Sequence, residues 1–164
     1  MSILSSKWMI AAMVLVAVLL ILYIMGKKEV KTSVEINASS ETVWNALKDA
    51  ESIKAWNKVL IPEEGDYAEG NTIKYRFVQE GKKDQLMDAS VLKIETGKLI
   101  NQGGGVPGIL TFNHSYIIEP SGNATRVTIH EKYRGIMVPF WNPASVETAY
   151  TKLLGQLKSY VENE

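Results

Sequence analysis

The sequence predicts an α+β domain in which a curved antiparallel sheet wraps around a long C-terminal helix, behind one N-terminal transmembrane helix. The chain opens with a long run of apolar residues that carries no charge. Segments of alternating polar and apolar residues then cluster between helical segments, with connections of hairpin length. The last twenty or so residues repeat apolar side chains at helical spacing, so that strands and helices are segregated along the chain.

The apolar run extends from Trp8 to Met25 and contains no charged residue. At about 1.5 Å per residue, a helix of this length nearly crosses the ~30 Å apolar core of a bilayer, and Ile3 and Leu4 can extend it by a turn. A cleaved signal peptide is the main alternative, but it favours small residues at its cleavage site, whereas bulky residues end this run. We therefore interpret residues 1–29 as a single-pass membrane anchor with a short basic linker.

Lysines favour one orientation of this anchor. Lys27, Lys28 and Lys31 follow the run, whereas only Lys7 precedes it. The positive-inside rule then places the following domain on the cytoplasmic side. The same lysines are suited to attract anionic lipid, although stopping the span explains them equally well.

Composition excludes some classes of function. The formal net charge is zero, so nothing indicates nucleic acid as a partner. The chain has no cysteine, which excludes disulfides and thiol catalysis. The sequence leaves the oligomeric state open.

The remaining chain, residues 30–164, predicts one domain that begins with a half-buried strand over residues 30–38. The segment "SSETVWNALKDA" then predicts a helix with a serine N-cap and Glu41 in its first turn. A second short helix follows over residues 51–57. About six strands come next, at residues 59–63, 72–80, 85–95, 98–100, 110–119 and 125–133.

The glycine-rich segment "NQGGGVPG" predicts a flexible loop between strands. It is not a phosphate-binding loop, because a strand follows it instead of Lys-Ser/Thr and a helix. After the last strand, Asn142 predicts the N-cap of the final helix and Pro143 its first residue. The apolar face of that helix consists of Val146, Ala149, Tyr150, Leu153, Leu157, Tyr160 and Val161.

His114 stands in the middle of an otherwise apolar row of the strand at 110–119. If residues 121–124 form the turn to the next strand, His114 faces Glu131 and both lie on the concave side. A slip of one residue would bring Arg126 and Lys132 inside, which the apolar pattern forbids. The sequence therefore predicts that the histidine and the carboxylate meet in the interior.

This pair has two interpretations. The two side chains satisfy each other's hydrogen bonding in the core, or they form a polar anchor for a ligand in an apolar cavity. As an enzyme, His114 and Glu131 would form a general acid/base pair, but no nucleophile accompanies them, so we name no confident catalytic residue. A metal is not expected because zinc prefers at least three protein ligands, and no cofactor is indicated.

An apolar loop segment at residues 136–141, "IMVPFW", also has two interpretations. It packs against the start of the final helix, or it forms a lip that touches lipid beside the anchor and admits a ligand from the bilayer.

The segment "VEINASSETVWNALKDAESIKAWN" resembles the opening of the SRPBCC superfamily of START-like, polyketide-cyclase-like and pollen-allergen-like domains. The match lies in an alternating strand, a small residue, a polar cap, Glu-x-Val-Trp and a downstream tryptophan. The segment "GVPGILTFNHSYIIEPSGNATRVTIHEKYRG" resembles the late hairpin of bacterial members. The resemblance covers residues 30–162, and the N-terminal anchor departs from the commonest soluble members.

This resemblance implies a helix-grip fold: a seven-stranded antiparallel sheet round the C-terminal helix, with two short helices after the first strand. It also implies a cavity between sheet and helix, and hence a membrane-tethered module that holds a lipid or other hydrophobic small molecule. The alternatives are a cyclase- or dehydratase-type enzyme and a protein-interaction or chaperone-regulating module. The expected ligand-binding residues are His114, Glu131, Phe112, Tyr116, Tyr133, Tyr75 and Phe77.

Overall fold

The computed structural model of the protein describes residues 3–163, with side chains from Lys7 onward. A helix of 23 residues leads directly into a seven-stranded sheet that curves around the C-terminal helix. The elements are α1 (Ile3–Met25), β1 (Lys27–Ile36), α2 (Ser40–Leu47), α3 (Ala50–Trp56), β2 (Leu60–Glu64), β3 (Thr72–Phe77), β4 (Gln85–Glu95), β5 (Leu99–Val106), β6 (Leu110–Ser121), β7 (Ala124–Arg134) and α4 (Ala144–Glu162).

The sheet has the order β1-β7-β6-β5-β4-β3-β2, and all neighbouring strands are antiparallel. The helix-grip fold that the sequence predicts is therefore confirmed. The predicted apolar face of α4 supplies most of its buried side chains, and α4 packs against the concave side of the sheet. Apolar burial between α4 and the sheet makes one continuous core.

Strand β1 begins earlier than predicted. Residues 27–29, which the sequence assigns to a basic linker, pair with β7 from Lys132 to Arg134. Only Gly26 separates α1 from the sheet. The junction is tight because the Gly135 N–H donates to the Gly26 carbonyl at 3.0 Å, and a Cβ on Gly26 would lie 2.0 Å from the Gly135 oxygen.

The glycine-rich segment is mostly strand, so its prediction as a loop is wrong. Gly103, Gly104 and Gly105 all pair with β6, and the turn is confined to residues 107–109. The physical reason is close packing around Gly104: a Cβ there would lie 2.4 Å from the Asp88 carbonyl oxygen and 2.7 Å from Phe112 Cζ. Glycine in this strand marks a close approach rather than flexibility.

The predicted helix starts are nearly correct. Ser39 caps α2, since its hydroxyl oxygen accepts from the Thr42 N–H at 3.1 Å. Helix α4 begins at Ala144, one residue later than predicted, but the Asn142 side chain still accepts from the Ala144 N–H at 3.0 Å. These caps satisfy amide groups that the first helical turn leaves unpaired.

Helix α1 projects from the domain. Its side chains from Lys7 to Met25 are exposed, apart from the half-buried Leu22. The helix is long and apolar enough to cross a membrane or to serve as a signal sequence.

Two glycines give opposite predictions for stability. Gly155 lies within α4 with nothing within 4 Å of an added Cβ, so Gly155→Ala is expected to raise the free energy of unfolding. The expected gain is about 0.8–1.0 kcal/mol, the difference between glycine and alanine in a helix interior.

Gly135→Ala is expected to lower the free energy of unfolding, because the added Cβ would lie 2.2 Å from the Ile109 oxygen and φ is +138°. Thermal unfolding of the detergent-solubilised protein, followed by circular dichroism, measures both. A loss with Gly155→Ala or a gain with Gly135→Ala would contradict this account of the fold.

Candidate functional site

A row of three polar side chains crosses the concave side of the sheet. Gln102 on β5 pairs with His114 on β6, and His114 pairs with Glu131 on β7. Each of the three is only 1–2 % exposed. The predicted register between β6 and β7 is confirmed, and it brings the histidine and the carboxylate together. We call these residues the polar row.

Two tyrosine hydroxyls hold the carboxylate of Glu131. Tyr133 donates to Oε2 at 2.6 Å, and Tyr150 on α4 donates to the same oxygen through a short hydrogen bond. Burial by itself would raise the pKa of Glu131. The pKa nevertheless lies below its ordinary value, because the His114 imidazole and the two hydroxyls favour the charged form. Glu131 is thus a buried carboxylate with its own donors.

His114 has no hydrogen-bond partner for either ring nitrogen among residues 3–163, although both atoms are buried. Its Nδ1 lies 3.7 Å from Glu131 Oε2, beyond hydrogen-bond reach. The ring instead packs edge-on against Tyr116 and Tyr150, with centroids 4.8 and 5.2 Å away. An unpaired buried polar group costs about 1–3 kcal/mol, so it calls for an explanation. His114 and Glu131 lie within ion-pair distance, but they make no hydrogen bond to each other, because the two tyrosine hydroxyls donate to the carboxylate.

A second polar contact lies at the other end of the row. The Gln102 amide meets the Tyr75 hydroxyl at 2.8 Å from its nitrogen and 3.1 Å from its oxygen, and the Tyr67 hydroxyl forms a short hydrogen bond with Tyr75. Burial raises the pKa of Tyr75 to about 12 and the pKa of Tyr67 well above its ordinary value. Both hydroxyls therefore stay protonated near neutral pH and serve as hydrogen-bonding groups.

A small crevice lies between the polar row and α4. Its volume is about 10 Å³, roughly the room that one water molecule needs. The lining residues are Leu60, Tyr75, Met87, Ala89, Gln102, Phe112, His114, Glu131 and Tyr150.

The cavity that the superfamily resemblance implies is therefore filled in this structure. Sites for drug-sized ligands measure about 300–1,000 Å³, far more than the crevice. The reason is side-chain size: Tyr75, Tyr116 and Tyr150 are at most 3 % exposed and occupy the concave side.

The seven predicted ligand-binding residues all lie on the concave side, and four of them line the crevice: Tyr75, Phe112, His114 and Glu131. The other three pack around it. The ring of Phe77 lies 5.9 Å from that of Tyr150, Tyr116 packs on His114, and Tyr133 packs on Trp141 at 4.5 Å. Whether these residues bind a ligand stays a prediction.

The sequence does not identify three residues of the site. Gln102 shares its alternation with the buried Ile100, and this signal was lost when its segment was interpreted as a loop. Tyr150 was placed on the apolar face of α4, but nothing in the sequence indicates that its hydroxyl reaches Glu131. Tyr67 lies between strands and carries no local signal.

The second histidine is not part of the site. His130 has the opposite alternation on β7, and its Nε2 lies 3.0 Å from Glu29 on the outer face. Within residues 3–163, no group of three or more His, Cys, Asp or Glu side chains is placed to hold a metal ion.

The family of the chain follows from comparison with known proteins. Residues 27–162 match the family described as polyketide cyclase / dehydrase and lipid transport. The chain belongs to this family. The family and the fold suggest either binding of a hydrophobic small molecule or cyclase-type chemistry. No curated protein shows significant similarity to the chain.

Solved structures show the same fold at low sequence identity. The protein CV1439 from Chromobacterium violaceum is 16 % identical with a TM-score of 0.67, over 83 % of this chain and 99 % of that one. The protein SA2116 from Staphylococcus aureus is 13 % identical with a TM-score of 0.62, over 85 % and 97 %. Ara h 8.0201 is 11 % identical with a TM-score of 0.63, over 85 % and 100 %. These similarities show the fold alone.

The charge on Glu131 gives a prediction for stability against pH. Glu131→Gln is expected to lower the free energy of unfolding at pH 7 by about 1–3 kcal/mol, because an amide oxygen accepts more weakly than a carboxylate. The folded-state pKa of Glu131 lies below the ordinary value of 4.5, so its stabilisation is present above that value and is lost as the pH falls through the folded pKa. The difference between parent and variant should therefore shrink below about pH 4.5.

Thermal unfolding of parent and variant at pH 7 and pH 3.5 measures this difference. Glu119→Gln, an exposed change on β6, is the matched control and should have little effect at either pH. An equal loss of stability at both pH values would contradict an ionised Glu131.

Proposed function

We propose that the protein is a membrane-tethered module that binds one small apolar molecule carrying a hydroxyl, a carbonyl or a similar polar group. The observation that carries this proposal is His114, which is buried at the crevice with both ring nitrogens unpaired. Membership of a family described by lipid transport and by polyketide cyclases supports the apolar character of the ligand.

His114 is chemically suited to this role. A neutral imidazole offers one N–H donor and one acceptor nitrogen, so it can bind a hydroxyl or a carbonyl oxygen. The ligand's polar atom would then satisfy a group that the protein itself leaves unpaired. Glu131 already accepts two tyrosine hydroxyls, and its role is to hold Tyr133 and Tyr150 in place around the imidazole.

The crevice must open to admit such a ligand, because its present volume is about 10 Å³. Among the residues that line the crevice, Met87 and Phe112 have half-buried side chains. These two side chains would move when the crevice opens. The Phe112 ring lies over Gly104, which offers no side chain of its own. Displacement of this ring would enlarge the crevice next to His114 without disturbing the tyrosines behind it.

Helix α1 supplies the tether in this proposal. Its apolar surface is exposed along its length, and Gly26 is the only residue between it and the sheet. The domain would thus stay at the lipid surface, where apolar ligands partition. The lysines that follow the span support a cytoplasmic position for the domain.

A cyclase- or dehydratase-type enzyme is the second candidate function. The unpaired His114 nitrogens stand beside a buried carboxylate, an arrangement that suits a general acid/base on a bound substrate. Both candidates use the same crevice, and they differ only in whether the bound compound is released unchanged.

The role of His114 is tested by His114→Leu, with His130→Leu as the matched control on the outer face of the next strand. Full-length protein is purified in detergent, and its organic extract is quantified by mass spectrometry. The parent and His130→Leu should retain one apolar compound at comparable occupancy. His114→Leu should retain about tenfold less, since a lost hydrogen bond of ~1.4 kcal/mol changes affinity by that factor.

The same variant separates binding from a structural role. Leucine removes two buried nitrogens that have no hydrogen bond, but it also removes the imidazole that favours the charged form of Glu131, so the ligand-free His114→Leu protein should unfold near the temperature of the parent. Equal retention of the compound by both variants, or no compound in the parent, would contradict the proposal.

A further inference from the structure

Exposed apolar side chains gather at the end of the sheet where α1 joins it. Val106 and Ile109 flank the turn between β5 and β6, and they are 57 % and 49 % exposed. Met137 and Phe140 lie in the loop before α4, and they are 49 % and 71 % exposed. We call these four residues the apolar lip.

The two loops of the lip are held side by side. The Ile136 N–H donates to the Gly108 carbonyl at 3.0 Å, and the Met137 N–H donates to the Ile109 carbonyl at 3.1 Å. The same loop is joined to the end of α1 through the hydrogen bond from Gly135 to Gly26. The lip is therefore a fixed surface next to the last turn of the helix.

The packing interpretation of the segment at 136–141 holds for part of the segment. Val138 is fully buried and Trp141 packs against Tyr133, so these side chains cover the edge of the core. Met137 and Phe140 point away from the core, although their exposure has no structural benefit in water.

A basic pocket lies where β1 begins and β7 ends, and its Lys28 contacts the loop that carries Met137 and Phe140. Its volume is about 440 Å³, and its lining consists of Lys27, Lys28, Glu29, Lys132, Tyr133 and Arg134. The Lys28 ammonium donates to the Pro139 carbonyl at 3.3 Å and to the Trp141 carbonyl, so it fastens the lip loop to the pocket.

Three cations of the basic pocket are free to bind an anion. Within residues 3–163, the side chains of Lys27, Lys132 and Arg134 donate no hydrogen bond and make no ion pair within 4 Å, and Lys132 acts on Glu29 only at longer range. The one carboxylate of the lining, Glu29, lies 3.0 Å from His130, and hydrogen bonding to that imidazole lowers its pKa. The lining therefore carries an excess of positive charge.

We propose that the basic pocket and the apolar lip together hold one anionic phospholipid. Its phosphate would meet Lys27, Lys132 and Arg134, and its acyl chains would lie against the lip. The position favours a lipid over a soluble phosphate, because the pocket begins one residue after a helix of membrane-spanning length. Arginine and lysine together are well suited to phosphate oxygens. The inference rests on α1 as the tether that the proposed function requires.

Native mass spectrometry of the full-length protein in detergent tests this site. Phosphatidylglycerol is titrated against phosphatidylcholine with the same acyl chains, and sn-glycerol 3-phosphate is the soluble phosphate. The parent should bind one phosphatidylglycerol at least about tenfold more tightly than phosphatidylcholine, because each basic residue near the head group contributes attraction.

The variant Lys27→Gln/Lys132→Gln/Arg134→Gln should reduce this affinity at least about tenfold. The control Lys48→Gln/Lys98→Gln/Lys152→Gln removes the same charge from exposed positions outside the pocket and should leave the affinity within about twofold of the parent. Met137→Ser/Phe140→Ser should weaken both lipids, since the acyl chains are common to them.

Three results would overturn the inference: equal affinity of the parent for both lipids, an equal loss in the two triple variants, or displacement of phosphatidylglycerol by glycerol 3-phosphate at equal concentration. Alkaline carbonate extraction of membranes tests the tether separately. Release of the chain by carbonate would contradict the tether, whereas retention without lipid selectivity would overturn only the pocket.

Discussion

The register between β6 and β7 is the constraint on which the interior depends. It places His114 opposite Glu131, and it extends to Gln102 on β5, so that polar side chains form one row beneath α4. A slip of one residue would exchange this row for Arg126 and Lys132 on the concave side, and the buried core could not tolerate those charges. The apolar alternation of both strands therefore fixes the polar site as strictly as it fixes the core.

Within the polar row, the Glu131 carboxylate accepts its hydrogen bonds from two tyrosines and not from His114. Tyr133 and Tyr150 donate to Glu131, and they leave His114 beyond hydrogen-bond distance. Two hydroxyls thus hydrogen-bond to the buried carboxylate, and the imidazole beside it has no hydrogen-bond partner within residues 3–163. Tyr150, together with Tyr75 and Tyr116, also fills most of the concave side, so that the crevice beside His114 is about 10 Å³. The site and the tight packing have a single cause.

Much of this arrangement follows from local patterns, and some of it does not. Alternation and turn length predicted the pairing of His114 with Glu131, and helical spacing predicted the buried face of α4. The partner that Glu131 takes could not be predicted, because Tyr150 reaches it from a different element. The glycines beside Gln102 suggest a loop, whereas the structure has a strand in which Gly104 leaves room for the Asp88 carbonyl and the Phe112 ring. The volume of the crevice depends on how the side chains pack, and the periodicity of apolar residues in the sequence does not determine this packing.

Nitrogen-15 labelling of histidine tests directly whether a ligand's polar atom binds His114, whose ring nitrogens have no hydrogen-bond partner within residues 3–163. The chain has two histidines, so the spectrum contains ring signals from His114 and His130 alone. Returning the extracted apolar compound to ligand-free protein should shift the ring nitrogens of His114 and leave those of His130 unchanged. Unchanged His114 signals, with the compound bound at full occupancy, would contradict the account.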